Sequence, residues 1–149
     1  SYFVGNLTAD FPVTTTNTIF KMTAANESLD LGNEYNSTTG VFTPNVSGIY
    51  VYEIELTASG ASATNSDYGG TTTNDRNVMG FVDNSTGQWI GRFNYELTTS
   101  NRSSFCKGVV SLTAGSSYYF GSAVISSTTI TAYPSTGCNG TRFSVQRLN

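Results

Sequence analysis

The chain has 149 residues, a net charge of −3 and 11% charged residues, a length that suits one domain over residues 1–149 with a core that needs neither metal nor several disulfides. The sparse, slightly acidic charge leaves no basic footprint for nucleic acid and no polybasic patch for an anionic membrane. No apolar stretch is long enough to span a bilayer and no signal peptide is visible, so no membrane insertion is expected and the chain reads as a mature product or an excised domain.

Ser, Thr, Asn and Gly dominate the polar positions and Lys21 and Lys107 are the only lysines, a balance that points to a secreted or cell-surface, extracellular protein. Asn-x-Ser/Thr triplets stand at Asn6, Asn26, Asn36, Asn45, Asn84, Asn101 and Asn139. In a chain so rich in these residues the triplets arise often by chance and carry no assignment of glycosylation.

No window holds apolar residues at helical spacing for more than a turn, and short alternating runs of β-branched and aromatic residues fill the chain instead. In chain order, strands are predicted over 2–7, 18–22, 40–46, 49–56, 77–82, 89–97, 105–112, 117–125 and 141–148. Gly-, Asn- and Pro-containing turns at 83–87, 113–116 and 134–137 separate several of them, as strand connections require. Two stretches read as irregular: 58–75, a long loop of small and polar residues with Tyr68 as its only bulky side chain, and 126–140, which carries Tyr133. This pattern suggests a sandwich. Cys106 and Cys138 are expected to form one disulfide, worth about 3 to 4 kcal/mol on the chain-entropy argument; the alternative is two buried free thiols.

Landmarks cluster between Tyr35 and Tyr52: Tyr35 itself, Gly40-Val41-Phe42, Pro44 and Gly48-Ile49-Tyr50-Val51-Tyr52, with Asp30 upstream. Gly40 ends a tight turn into a strand, Pro44 interrupts a hydrogen-bonded ladder and Gly48 lets the chain re-enter a sheet. From there Tyr50, Tyr52, Ile54 and Leu56 share one face of a strand, while Ile49, Val51, Glu53 and Glu55 share the other. The spacing, an aromatic, Gly-x-Phe, Pro and then Gly-x-Tyr-x-aromatic, resembles the signature of the complement component 1q and tumour necrosis factor superfamily. Leu112-Thr113-Ala114-Gly115 resembles its Leu-x-x-Gly turn, and Phe143-Ser144 its closing strand, so the resemblance runs over nearly the whole chain. The chain departs from the pattern at Ile54 and Val145, where an aromatic and a glycine are expected, and at Phe20, which sits a few residues out of place. These departures concern the early loop 23–34 and not the fold.

The resemblance implies an all-β, two-sheet jelly-roll sandwich, complement-1q/tumour-necrosis-factor-like, assembling as a compact homotrimer. It implies that the second face of the inner sheet packs on neighbouring protomers around a threefold axis. Ile49, Val51, Phe105, Val109 and Leu148 would form the apolar contact, with Glu53, Glu55, Lys107 and Arg142 as charges nearby. Three copies of two glutamates near one axis repel unless offset, and Lys107 and Arg142, on strands expected to flank Glu53, are the natural counter-charges. The alternative leaves the four charges at the wet end of the axis, scarcely interacting.

There is no histidine, which removes the usual general base, the commonest metal ligand and every His-based triad. Asp67, Asp75, Asp83 and Glu96 offer carboxylates in or near loops, but no spacing singles out a pair for glycoside hydrolysis, and the chain is not expected to be an enzyme. No cofactor is expected; calcium, which some members of the resembled superfamily bind, is the single candidate, although no Asp-rich loop with ligand spacing occurs. Exposed aromatics and amides are what remains for recognition. Tyr68, Trp89, Tyr95, Tyr133 and the turns around Asn84 and Asn101 are suited to stack on and hydrogen-bond to sugars or a protein surface. Tyr68 and Tyr133 stand out among these, because Trp89 and Tyr95 alternate with Gly91 and Phe93 as packed strand residues do.

The expected function is therefore a trimeric recognition or adhesion head at the tip of an extracellular fibre or stalk. Its partners are copies of itself and a cell-surface glycan or protein, bound through loops at the end farthest from the termini. The alternatives are a structural trimerisation cap of a fibrous or collagen-like protein and a soluble cytokine-like receptor ligand.

Overall fold

The computed structural model describes residues 1–13, 20–23, 26–60, 77–95, 102–124, 130–132 and 140–148. Among them the regular elements are all strands: β1 (Tyr2–Asn6), β2 (Phe11–Val13), β3 (Phe20–Lys21), β4 (Asn26–Asp30), β5 (Tyr35–Asn36), β6 (Val41–Phe42), β7 (Gly48–Gly60), β8 (Asn77–Asp83), β9 (Trp89–Tyr95), β10 (Arg102–Leu112), β11 (Tyr118–Val124), β12 (Ile130–Ala132) and β13 (Arg142–Arg147). They build two sheets, with every pairing antiparallel. In the first, β10 lies on one side of β7, β13, β1 and β4 follow on the other, and β12 and β2 extend that side at the far end of β7. The second runs β5-β6-β11-β8-β9, with β3 also on β11.

Period-two alternation explains the packing. On β7 the side chains of Tyr50, Tyr52, Ile54, Leu56 and Ala58 are buried, so one face of the strand fills the space between the sheets. Phe3, Phe42, Phe81, Phe120 and Phe143 meet them there, all at or near zero exposure. Rings interlock at centroid distances of 4.1 Å for Phe3 on Tyr35, 4.4 Å for Phe120 and Phe143, and 4.9 Å for Phe81 and Phe120. Such contacts add about 0.5 to 1.5 kcal/mol each beyond the area they bury.

The motif residues fold the 30–48 segment onto this core. Asp30 Oδ1 accepts from the amides of Gly32 and Glu34 at 3.3 and 3.1 Å, and Oδ2 from that of Tyr35 at 2.9 Å. The loop is thereby bent back so that Tyr35 stacks on Phe3. Gly40 has φ +70°, and a Cβ there would lie 3.0 Å from the Met22 carbonyl oxygen, so a side chain would be strained twice over.

Several expectations are corrected. The strand over 40–46 shortens to Val41–Phe42, because the Thr43 amide turns to the Glu34 carbonyl at 2.7 Å and Pro44 has no amide to donate. Residues 58–60 are not loop but the end of β7, paired with β12, which itself lies inside the stretch read as irregular. β4 was not expected at all; it is an edge strand on β1, with a register shift between Val4 and Gly5. The expected Cys106–Cys138 disulfide is also corrected. Cys106 is a free thiol, 4% exposed, turned inward by the alternation of β10, and its Sγ donates to Tyr52 Oη at 3.8 Å. It packs as a small apolar side chain; Cys138 lies outside the described residues.

Register sorts the two ends of the sandwich. Gly48 pairs with Leu112, Asp83 with Tyr118 and Tyr2 with Gln146, so these residues share the end that holds Ser1 and Leu148. At the opposite end Ala58 pairs with Arg102, and Asn77 with Tyr95 and Val124.

Candidate functional site

Two surfaces have the character of binding sites. The first is the outward face of β7, β10 and β13. Strand alternation places Ile49, Val51, Glu53 and Glu55 of β7 beside Phe105, Lys107 and Val109 of β10, with Val109 directly opposite Val51, Lys107 opposite Glu53 and Phe105 opposite Glu55. On the other flank Arg142 of β13 stands opposite Glu55. Ile49, Phe105, Val109 and Leu148 are 46, 56, 63 and 42% exposed and Val51 is half-buried. The charges among them pair within the protomer: Lys107 Nζ to Glu53 Oε1 at 2.7 Å and Arg142 Nε to Glu55 Oε2 at 2.9 Å. Pairs this exposed contribute at most about 1 kcal/mol to folding, but they cancel the charge of the face. Tyr2, Val4, Glu53, Glu55 and Phe105 line a shallow recess of about 270 Å³ there, and Tyr2, Val51, Lys107 and Leu148 line one of about 180 Å³.

The second surface is a polar cleft of about 550 Å³ between β4, the 33–43 segment, the turn after β8 and Ser117. Its lining includes Glu27, Asn33, Glu34, Asn36, Thr39 and Asn84. Glu34 is 4% exposed; its Oε1 accepts from Ser1 Oγ at 2.8 Å and the Asn45 amide at 2.7 Å. Its Oε2 is buried with no hydrogen-bond partner among the described residues. Asn36 Oδ1 accepts from the amides of Thr38 and Thr39, both at 3.0 Å. Asn84 is held by its amide on the Ser117 carbonyl at 2.9 Å and by Lys21 Nζ, which donates to Asn84 Oδ1 at 2.7 Å and lies 4.7 Å from the centroid of the Tyr119 ring. In the same turn Asp83 Oδ1 accepts from the Ser85 hydroxyl and amide and the Thr86 amide, which hold its carboxyl below the usual carboxylate range.

The residues singled out for recognition are not gathered together. Asn84 is exposed in the turn after β8, and Trp89 is half-buried at the start of β9, both at the end that holds the termini and not the one expected. Tyr95 closes β9 at the other end. Tyr68, Asn101 and Tyr133 lie outside the described residues, as do Asp67, Asp75 and Glu96. Among the described residues no three Cys, Asp or Glu side chains converge to hold a metal ion. Sequence reasoning missed Glu34. The signal was an acid immediately before the motif's aromatic, but nothing local shows that packing would bury it.

No helix among the described residues is long and apolar enough to cross a membrane. No protein-family model matches the sequence, and no curated protein matches it significantly. Solved structures do match. The globular domain of zebrafish complement 1qA protein superposes with a TM-score of 0.57 at 12% identity, over 97% of this chain and 91% of that one. Murine APRIL gives a TM-score of 0.60 at 14% identity over 99 and 100%, and Eiger TNF from S. frugiperda gives 0.56 at 11% over 99 and 90%. These likenesses span both sheets and agree with the motif between Tyr35 and Tyr52: the chain has the complement-1q/tumour-necrosis-factor-like jelly-roll fold.

Proposed function

We propose that the chain is the recognition head of an extracellular homotrimer. In this reading the outward face of β7, β10 and β13 forms the threefold contact, and a cell-surface glycan or protein is the ligand. The observation that carries it is the apolar face itself. Phe105, Val109, Ile49 and Leu148 are exposed on one face of the protomer, with the Lys107–Glu53 pair between Phe105 and Val109, and large apolar side chains left exposed on one face mark a protein contact. The internal pairing of Glu53 with Lys107 and Glu55 with Arg142 lets three such faces approach without the repulsion that bare glutamates would cause. The threefold arrangement comes from the resemblance in the motif, and the extracellular location from composition. The reading assigns the chain binding and not catalysis, with no cofactor. Three copies present three weak sites together, and avidity of that kind suits attachment to a surface.

Light scattering on the purified chain tests the assembly. The expected result is a mass three times that of the chain and independent of dilution over the micromolar range. A monodisperse monomer would reject the head reading, since the apolar face would then have no partner in its own copies.

A further inference from the structure

We infer that the proposed trimer closes edge to face: the β9–β10 margin of one copy, carrying Ile90, Phe93 and Val109, seats on the β13–β1 side of the next copy, over Tyr2 and Val4. This deepens the head reading and rests on it, and it brings in β9, a strand of the other sheet. A ring of three identical chains needs a contact between two different patches, because a patch that pairs with itself closes a dimer and stops there.

One margin of the sandwich has the character of the projecting patch. Among the described residues β10 pairs with β7 alone and β9 with β8 alone, so each ends its sheet, and the two border the same side of the sandwich. Tyr52 lies beneath both, since a Cβ on Gly91 of β9 or on Gly108 of β10 would meet its ring or hydroxyl. Ile90 and Phe93 are 37 and 45% exposed there, beside Phe105 and Val109 of β10. Phe93 is the telling case. It shares a side of β9 with the inward Gly91, and its register partner Met79 is fully buried, yet the core leaves nearly half of the Phe93 side chain uncovered. Ile90 falls at the register shift of β9 on β8, an irregularity of the kind that re-aims a side chain.

The receiving side is different in relief. Val109, Val51, Gln146 and Tyr2 stand in one row across β10, β7, β13 and β1, and among the exposed large apolar side chains none lies on β13 or β1. Two recesses, of about 270 and 180 Å³, cross this part of the face, with Tyr2 in both and Val4 in the larger. Glu53 and Glu55 in their walls are held by Lys107 and Arg142, so the walls meet an incoming apolar side chain with paired charges and not with free carboxylates. Tyr2 and Val4 are themselves half-buried, and a seated neighbour completes their cover.

Cysteine cross-linking tests the inference. Three strand spacings, on the order of 14 Å, separate position 109 from position 2 within one chain, too far for a disulfide. Val109→Cys/Tyr2→Cys and Val109→Cys/Val4→Cys are to be oxidised and run on a denaturing gel without reductant, beside each single variant and the parent, which keeps Cys106 and Cys138. At least one double variant is expected to give covalent dimers and trimers, while the single variants and the parent stay at chain mass. Dimers from Val109→Cys alone would show a patch meeting itself and overturn the inference, as would double variants that stop at dimers. Light scattering of Ile90→Asp and Phe93→Asp is the second measurement, since neither position lies on β7, β10 or β13. Edge seating requires both to need on the order of tenfold or more higher concentration to assemble, with strand content unchanged; parent-like assembly of both confines the contact to the face and overturns the inference. A trimeric parent with no cross-link in either double variant overturns this inference alone, whereas a monomeric parent overturns the head reading and this inference with it.

Discussion

Tyr52 lies between the sheets with its ring stacked on Phe81 at 5.7 Å and its hydroxyl beside Cys106. Two strands make room for it by carrying glycine: a Cβ on Gly108 of β10 or Gly91 of β9 would run into the Tyr52 ring and hydroxyl. Overpacking of a filled core costs about 1 to 3 kcal/mol, so Gly108→Ala should lower the unfolding free energy obtained from urea titration by that much. Adding Tyr52→Leu to Gly108→Ala should then cost less than the sum of the two single losses; strict additivity would show that the clash is not the cause. Burial pushes the Tyr52 phenol far above its ordinary range, with the Cys106 charge adding to the effect, and burial raises the Cys106 thiol and the Tyr119 phenol as well. The folded state therefore holds these protons when the unfolded chain, with thiol near 8.5 and phenols near 10, has begun to lose them. Stability is full below that range and falls as pH rises through it. A melting temperature followed from neutral pH upward should drop above about pH 9, and Tyr52→Phe should drop less above about pH 10. Equal slopes for the two proteins would remove Tyr52 from the account.

Among the elements, β7 was legible from sequence because its two faces differ. Tyr50, Tyr52, Ile54 and Leu56 are all core, and Ile49, Val51, Glu53 and Glu55 are all outward. The same alternation exposed β10 and β13, whereas β8 and β11, buried at successive residues, were legible as runs of apolar and aromatic residues. β4, with the sequence Asn-Glu-Ser-Leu-Asp, has no apolar alternation; pairing with β1 makes it a strand, and that is information from twenty or more residues away. Cys106 misled for a related reason, since extracellular composition suggests a bridge while register decides which way the thiol faces. At the cleft, the turn chemistry of Asn84 was visible, but its meeting with Asn33, Asn36 and Glu34 depends on how two distant segments pack. Asp30 governs that packing. Asp30→Ala would leave the amides of Gly32, Glu34 and Tyr35 without their acceptor, and each partly buried unpaired group costs about 1 to 3 kcal/mol. The variant should melt well below the parent, with Asp30→Asn between them because a carboxamide keeps one acceptor oxygen. Parent-like melting of Asp30→Ala would mean that the loop is held by Tyr35 on Phe3 alone.

For the whole molecule the question is what the face of β7, β10 and β13 does. Phe105 is 56% exposed in the protomer, so Phe105→Asp removes little from the core and should leave the strand content unchanged. In a trimer closed on this face the same change places three carboxylates near one axis, each in register with Glu55 of its own chain, and an unpaired charge removed from water costs several kcal/mol. Val51→Asp does the same two same-face positions further along β7, opposite Val109 of its own chain. If the parent assembles as proposed, both variants are expected to scatter light as folded monomers at concentrations where the parent gives three times the chain mass. Lys107→Ala is the graded case: it frees Glu53 from its 2.7 Å partner without adding charge, so its trimer should weaken at low salt and recover as salt screens the three exposed glutamates. On the proposed reading, attachment to the target surface should follow the mass in every case. A monomer keeps its affinity per site but loses the gain from simultaneous engagement, which is on the order of 10² to 10⁴. A trimer mass that persists in both aspartate variants would move the assembly contact off this face and leave Phe105 and Val109 to a different partner.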